Sequence, residues 1–529
     1  MIGRRTVLKL LSSLPFGGLI AAGIPAGGSR AAAAGRLTGG PAPESIYATI
    51  GVRPLINARG TVTIIGATRM LPEVQEAMDA ATREYVQLDE LMEGVGRRLA
   101  ERTGAEWGIV TSGASGAITV ATAGAVTGGD PDRLWRLPDL TGMKDEVIIP
   151  SYSRSAYDAA ARAVGVRMVE VDDLQQLVRA LGPRTAIILV LAGRRSENGP
   201  LSVEEIASAA RPHGVPILVD AAAEGLEVPN PHLAQGADMV AYSGGKYLRG
   251  PQCAGLLLGR EDLVRSAWTN SAPHHGFGRS LKVGREEIMG MLAAVEMWFE
   301  RDHEAEWRAW ETRLQHIGRR LQDVPGVSTS VRQPEGRSNR APSLVVEWDQ
   351  ARIPLTGSDV EQLLWDGEPR IAVSGMGSFL PFPPNTLPDI RINPSQLEAG
   401  AELIIADRVF AVLSDPPERP RPSGPPDADV SGQWDLEMTF AAGMADQRFA
   451  FEQAGSVLAG THFADMGPRD LQGTLHGSDI LVRSSNTDRG MRINYTFVGT
   501  VEGEVMSGRV HMGEYGMAGW RAARLRYDR

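Results

Sequence analysis

Three short stretches of this 529-residue chain carry residues whose chemistry depends on position. Lys246 ends the small-residue turn Ser243-Gly244-Gly245-Lys246, directly after an apolar run at 238–242. Asp220 closes a second apolar run, 215–219. A third stretch, Thr111-Ser112-Gly113-Ala114-Ser115-Gly116-Ala117, reads as a strand end running into a helix. A lysine amine on such a turn can reach back into a crevice and condense with an aldehyde. A carboxylate on a neighbouring strand can hold a protonated pyridine nitrogen. Free N–H groups at a helix start hold phosphate. Taken singly, each signal is ordinary: an SGGK turn is often only a loop, and a strand-end aspartate is often a helix cap. As an ordered trio, each at the C-terminal edge of a strand, they form the set that a pyridoxal phosphate site requires.

The elements that must position these residues alternate from about Ile46 to Leu413. Short apolar runs at 107–111, 146–150, 186–191, 215–219, 238–242 and 255–258 read as strands. Helical patterns at 72–85, 157–164 and 203–212 lie among them. Continuous apolar strands alternating with helices imply an α/β fold with a parallel or mixed sheet covered on both faces. A long helical stretch, 288–324, carries Trp298, Trp307 and Trp310 and leads to a smaller lobe ending in a helix at 395–413.

Residues 416–427, PPERPRPSGPPD, are too rich in proline for a helix and predict an extended spacer. Beyond them, eight short alternating runs begin at about Gln433, Arg448, Val457, Asp470, Asp479, Arg492, Glu504 and Gly519. They predict an antiparallel barrel or sandwich, with Trp434, Leu436 and Met438 on its inner face. The expected divisions are therefore a signal at 1–34, a large domain at 46–287, a helix and small lobe at 288–415, a spacer at 416–427 and a β-domain at 428–529.

The composition narrows the function. Hydrophobic residues make up 43% and charged residues 22%, as in ordinary globular proteins. The formal charge of −10 and the lack of a basic block argue against gripping a nucleic acid. One cysteine, Cys253, excludes an internal disulfide or a multi-cysteine metal centre, and it reads as a core residue. His274–His275 has no third ligand at metal spacing, so no metal site is expected. The N-terminus has Arg4–Arg5, a modest apolar stretch from Leu10 to Ile24, Arg30 and Ala31–Ala34. That order describes an export signal of the twin-arginine type, cleaved near Ala33–Ala34, with a periplasmic or secreted product. No run is long enough for a stable membrane span.

Several stretches resemble one group of enzymes. They are Gly51-Val52-Arg53-Pro54-Leu55-Ile56-Asn57-Ala58, the Thr111–Ala117 turn, Val219-Asp220-Ala221-Ala222-Ala223-Glu224 and Ser243-Gly244-Gly245-Lys246-Tyr247-Leu248-Arg249-Gly250-Pro251-Gln252. Lys282-Val283-Gly284-Arg285-Glu286-Glu287 and Gly367-Glu368-Pro369-Arg370-Ile371 are similar too. The group is the selenocysteine-synthase-like (L-seryl-tRNA selenium transferase-like) enzymes of the aspartate aminotransferase fold, whose cofactor is pyridoxal 5'-phosphate (PLP). The β-rich tail resembles small lipocalin-like domains.

The resemblance implies a seven-stranded sheet, a small C-terminal lobe and a homodimer or larger homo-oligomer. It implies Lys246 as the Schiff-base lysine and Asp220 as partner of the ring nitrogen. It places Ser112, Gly113 and Ala114 at the phosphate turn, Ser243 near the phosphate and Arg154 over the ring. It places Arg370 at a substrate carboxylate, with Lys282 and Arg285 reaching an anion across a subunit interface.

Selenocysteine synthesis itself is not expected. An export signal and an acidic chain do not suit a charged tRNA, and Ile46 follows the signal with no basic tRNA-binding domain between. A lyase acting on an amino acid or amino sugar is the leading expectation. An aminotransferase, a racemase and a non-catalytic binding protein of the same fold remain open.

Overall fold

The computed structural model describes residues 45–373, 386–418, 424–488 and 491–525. The expected signal, and the middle of the proline-rich spacer, lie outside the described residues. The chain divides into two compact units, 1–54 and 55–529. In the first, the described part is a 3-10 turn, Ile46–Ile50, whose start is held by the Ser45 side chain accepting from the Tyr47 N–H.

The second unit is built on a seven-stranded mixed sheet. Its strands run, edge to edge, Trp107–Thr111, Gly255–Gly259, Met239–Ser243, Ile217–Asp220, Thr185–Leu191, Glu146–Pro150 and Arg167–Val171. The last five are parallel, whereas Gly255–Gly259 is antiparallel to both of its neighbours. Strands such as Ile217–Asp220 and Gly255–Gly259 are buried along their whole length, which is why they read as unbroken apolar runs. Arg167–Val171 escapes that reading because it is an edge strand with Arg167 and Glu170 exposed. Helix Gly113–Thr127 is buried nearly all round. It packs so closely on helix Glu261–Thr269 that a Cβ at Gly124 would meet the Ala267 backbone nitrogen at 2.8 Å.

The expected long helix is two. Arg285–Glu300 ends at Arg301, and Asp302 caps a new helix, His303–Leu321, by accepting from the Ala305 N–H at 2.8 Å. Trp298 therefore does not share a helix with Trp307 and Trp310. Its indole donates to the Leu226 carbonyl at 2.8 Å and packs against His303. The smaller lobe has an antiparallel sheet of Val327–Arg332, Ser343–Trp348 and Asp389–Ile392, and a parallel pair, Leu55–Ala58 with Arg370–Val373. Its last helix is Ala401–Ser414, six residues shorter at the start than the sequence pattern suggests.

The β-rich tail is a closed eight-stranded antiparallel barrel, with Gly432–Thr439 pairing both Met444–Ala454 and the final strand Met517–Arg524. All eight expected runs are strands of it. Trp434, Leu436 and Met438 are buried and alternate with exposed residues, as period-two patterning requires. Among the described residues, no helix is long and apolar enough to cross a membrane.

Candidate active site

Asp220 is the last residue of its strand and Lys246 lies in the turn after the neighbouring parallel strand. Both therefore stand at the carboxyl edge of the sheet, where open α/β folds bind ligands. The Lys246 turn is held by backbone bonds: Gly244 N–H donates to the Ala254 carbonyl at 2.8 Å, and Arg249 N–H to the Lys246 carbonyl at 3.0 Å. A Cβ at Gly244 would strike the Met291 sulfur at 2.4 Å, which explains a glycine there.

Asp220 is buried, and its Oδ1 accepts from the Ala222 N–H at 3.1 Å. Burial pushes its pKa up; the Ala222 bond and the charge of Lys246 oppose this, and Glu224 adds to it. Burial likewise pushes the Lys246 amine down, with Asp220 pulling it back. The two charges feel each other, yet no ion pair joins them.

The third element follows from Gly113. Its φ of +67° is open only to residues that tolerate the left-handed region, and it turns the strand Trp107–Thr111 into helix Gly113–Thr127. The Ser112 side chain makes no capping bond, so the first-turn N–H groups stay open to an anion. The strand beside it presses close: a Cβ at Gly255 would meet the Ala114 nitrogen at 2.7 Å. Because Gly255 pairs with both Thr111 and Ser243, the Ser112-Gly113-Ala114 turn and Ser243 come to one place on the sheet edge.

The other expected residues are not all brought to this edge. The Arg154 guanidinium is ion-paired with Asp158 at 2.6 Å and with Glu170 on the edge strand. It is turned toward that edge, not toward Asp220. Arg370 begins the small-lobe strand Arg370–Val373, donates to the Trp365 carbonyl at 3.0 Å and lies over the Trp365 ring. Arg285 starts its helix, donates to the Ala81 carbonyl at 3.0 Å and pairs with Glu286. Lys282 is exposed. Cys253, read as a core residue, is exposed instead, because it falls in the turn before the buried strand rather than in it.

Sequence reasoning gave no role to the network behind Asp220. The buried Glu224 accepts from His232 Nε2 at 2.8 Å and from Ser338 Oγ at 3.0 Å. Asn339 donates its N–H to the Ala223 carbonyl at 2.8 Å, tying a small-lobe loop to the aspartate loop. Asn230 caps the short helix Pro231–Ala234 and donates to the Tyr242 hydroxyl at 2.7 Å. The Asn-Pro step was a readable helix-start signal. The Ser338 contact joins residues far apart in sequence, and no local pattern announces it.

The donor set fits PLP. A buried carboxylate with no cation bonded to it suits a pyridinium N–H. An amine whose charged form is disfavoured by burial suits condensation with an aldehyde. The open helix start suits a phosphate.

Comparison with known proteins agrees. The family described as "Cys/Met metabolism PLP-dependent enzyme" matches residues 82–273. D-glucosaminate-6-phosphate ammonia lyase of Salmonella typhimurium is 32% identical over 335 residues, 61% of this chain and 88% of that one. A 5'-C-glycyluridine monooxygenase-decarboxylase of a Streptomyces species is 30% identical over 382 residues, 70% of this chain and 92% of that one. The L-seryl-tRNA(Sec) selenium transferase of Rhizobium meliloti, of the group the motifs resemble, is 31% identical over 47% of this chain and 57% of its own. A solved D-glucosaminate-6-phosphate ammonia-lyase superposes with a TM-score of 0.62 at 29% identity, covering 70% of this chain and 99% of that one. The chain belongs to the Cys/Met metabolism PLP-dependent enzyme family, and its cofactor is pyridoxal 5'-phosphate.

Proposed function

We propose that this enzyme is a lyase that removes ammonia from an amino acid or amino sugar acid bearing a leaving group beside its amino carbon. The observation that carries the reading is the pairing of strands that sets Asp220 and Lys246 at one sheet edge, both desolvated and each acting on the other's ionisation. The ammonia lyase relative supports the choice of ammonia release.

When bound, PLP spreads the electron pair left at the substrate α-carbon into its ring. Asp220 holds a proton on the ring nitrogen, which keeps the ring electron-poor. The Lys246 amine, lowered by burial, takes the α-proton at its Nζ. The same Nζ proton can then be handed to the departing group. The β-substituent leaves, and the freed enamine takes up water to give a keto acid and ammonia. The Ser112-Gly113-Ala114 turn and Ser243 hold the phosphate. The Glu224–His232–Ser338 network fixes the aspartate loop.

For the rest of the site, Arg370 is assigned to the substrate carboxylate. Lys282 and Arg285 are assigned to an anion across a homodimer interface. The Arg4–Arg5 signal supports export by the twin-arginine route after the cofactor has been loaded.

A screen of amino acids and amino sugar acids for keto acid and ammonia tests the reading. Equal amounts of both, without any added keto acid, are expected for the substrate. Turnover that requires an amino-group acceptor identifies an aminotransferase and overturns the lyase.

A further inference from the structure

The barrel holds a charge that its fold does not need. Arg469 lies on the strand Gly467–His476, with its side chain turned inward and the residue 5% exposed. Its Nε and Nη1 make no hydrogen bond. No carboxylate is paired with it among the described residues. Its guanidinium stands 4.9 Å from the centre of the Tyr495 ring.

A buried polar cluster stands beside it inside the barrel. His462, the cross-strand partner of Arg469, is fully buried. Its Nε2 donates to Gln447 Oε1 at 2.7 Å, and its Nδ1 accepts from Ser484 Oγ at 2.8 Å. Burial and then the charge of Arg469 lower the His462 pKa to about 3. The imidazole is therefore neutral at physiological pH, and among the described residues no carboxylate balances the charge of Arg469.

An unpaired buried charge is costly, and an apolar side chain of the same length would remove that cost. A guanidinium kept in this position has a use for an anion. We infer that the barrel interior at Arg469 is a binding site for a small organic carboxylate. A carboxylate matches the guanidinium in charge and in its planar pair of oxygens. A phosphate dianion would leave one negative charge buried in its turn. Arg469 is the third residue of its strand, near the turn at 465–466, so the ligand enters from that end of the barrel. The site does not depend on the chemistry at Lys246.

The test is calorimetric titration of the full-length, PLP-loaded protein with acetate, octanoate and inorganic phosphate. A saturable site for a carboxylate is expected, weakened at least tenfold in Arg469→Met and tighter than any phosphate site. The unliganded Arg469→Met protein should also melt at a higher temperature, because the uncompensated charge is gone. Arg469→Lys keeps the charge but not the fork, and should bind several-fold more weakly. The inference is overturned if no carboxylate saturates the parent protein. Equal affinity in either variant, tighter phosphate binding, or a lower melting temperature for Arg469→Met overturns it as well.

Discussion

Asp220 and Lys246 lie on adjacent parallel strands in fixed register, with Asp220 opposite Ala241 and Lys246 in the turn just beyond Ser243. Both charges are desolvated, and each moves the other's ionisation. A cofactor that offers a ring N–H to one and an aldehyde to the other satisfies both.

Replacing the carboxylate tests half of that relationship. Asp220→Asn keeps the shape and the bond to the Ala222 N–H but cannot hold the ring nitrogen protonated. Turnover should fall by about 10²-fold or more, while PLP remains bound and visible by absorbance. Unchanged turnover would mean that another residue protonates the ring.

The network behind Asp220 predicts a stability effect. Glu224→Ala leaves His232 buried without its partner and strips Ser338 of an acceptor. Leaving buried polar groups without their partner costs about 1–3 kcal/mol each, so the melting temperature should drop by several degrees. Glu224→Gln keeps an acceptor for one of the two groups and should recover part of the loss. Equal melting of the Ala variant and the parent protein contradicts the arrangement.

The barrel predicts a pH dependence. His462 has a folded pKa depressed from 6.5 to about 3, by burial first and by Arg469 second. Its neutral form is thus favoured by folding. The stability it contributes is present above pH 6.5 and is lost as the pH falls from there toward 3. The thermal melt of the barrel should decline over that window, and His462→Gln should flatten the decline. A barrel whose melting is independent of pH in this range contradicts the buried, neutral imidazole.

The boundary at the prolines predicts the outcome of truncation. A chain stopped after Asp415 should keep the cofactor absorbance and most activity, since Lys246, Asp220 and the phosphate turn all precede it. The barrel has its own apolar core, built around Trp434, Phe449 and Phe497. Loss of PLP or failure to fold would show that the barrel and the enzyme are one folding unit.

Much of the fold was legible because its determinants are local. Strands such as Ile217–Asp220 are buried on both faces and read as apolar runs, and the barrel strands alternate residue by residue. Lys246 and Asp220 were legible because each follows such a run. The edge strand Arg167–Val171 was not, because its exposed Arg167 and Glu170 interrupt the apolar signal. The helix break at Arg301 was hidden by good helix formers on both sides, with Asp302 the one capping cue. Arg154 was placed by resemblance alone. Its ion pairs with Asp158 and Glu170 arise from the tertiary fold, which no spacing reveals. The Glu224–Ser338 contact is of the same kind, because it joins the two lobes.

The most direct measurement is the visible absorbance of the purified, PLP-supplied protein beside its Lys246→Ala variant. The parent protein should show the band of lysine-bound cofactor and release keto acid and ammonia from its substrate. The variant should retain its circular dichroism but lose both the band and the turnover. A folded Lys246→Ala protein that keeps the band would contradict the assignment of the site.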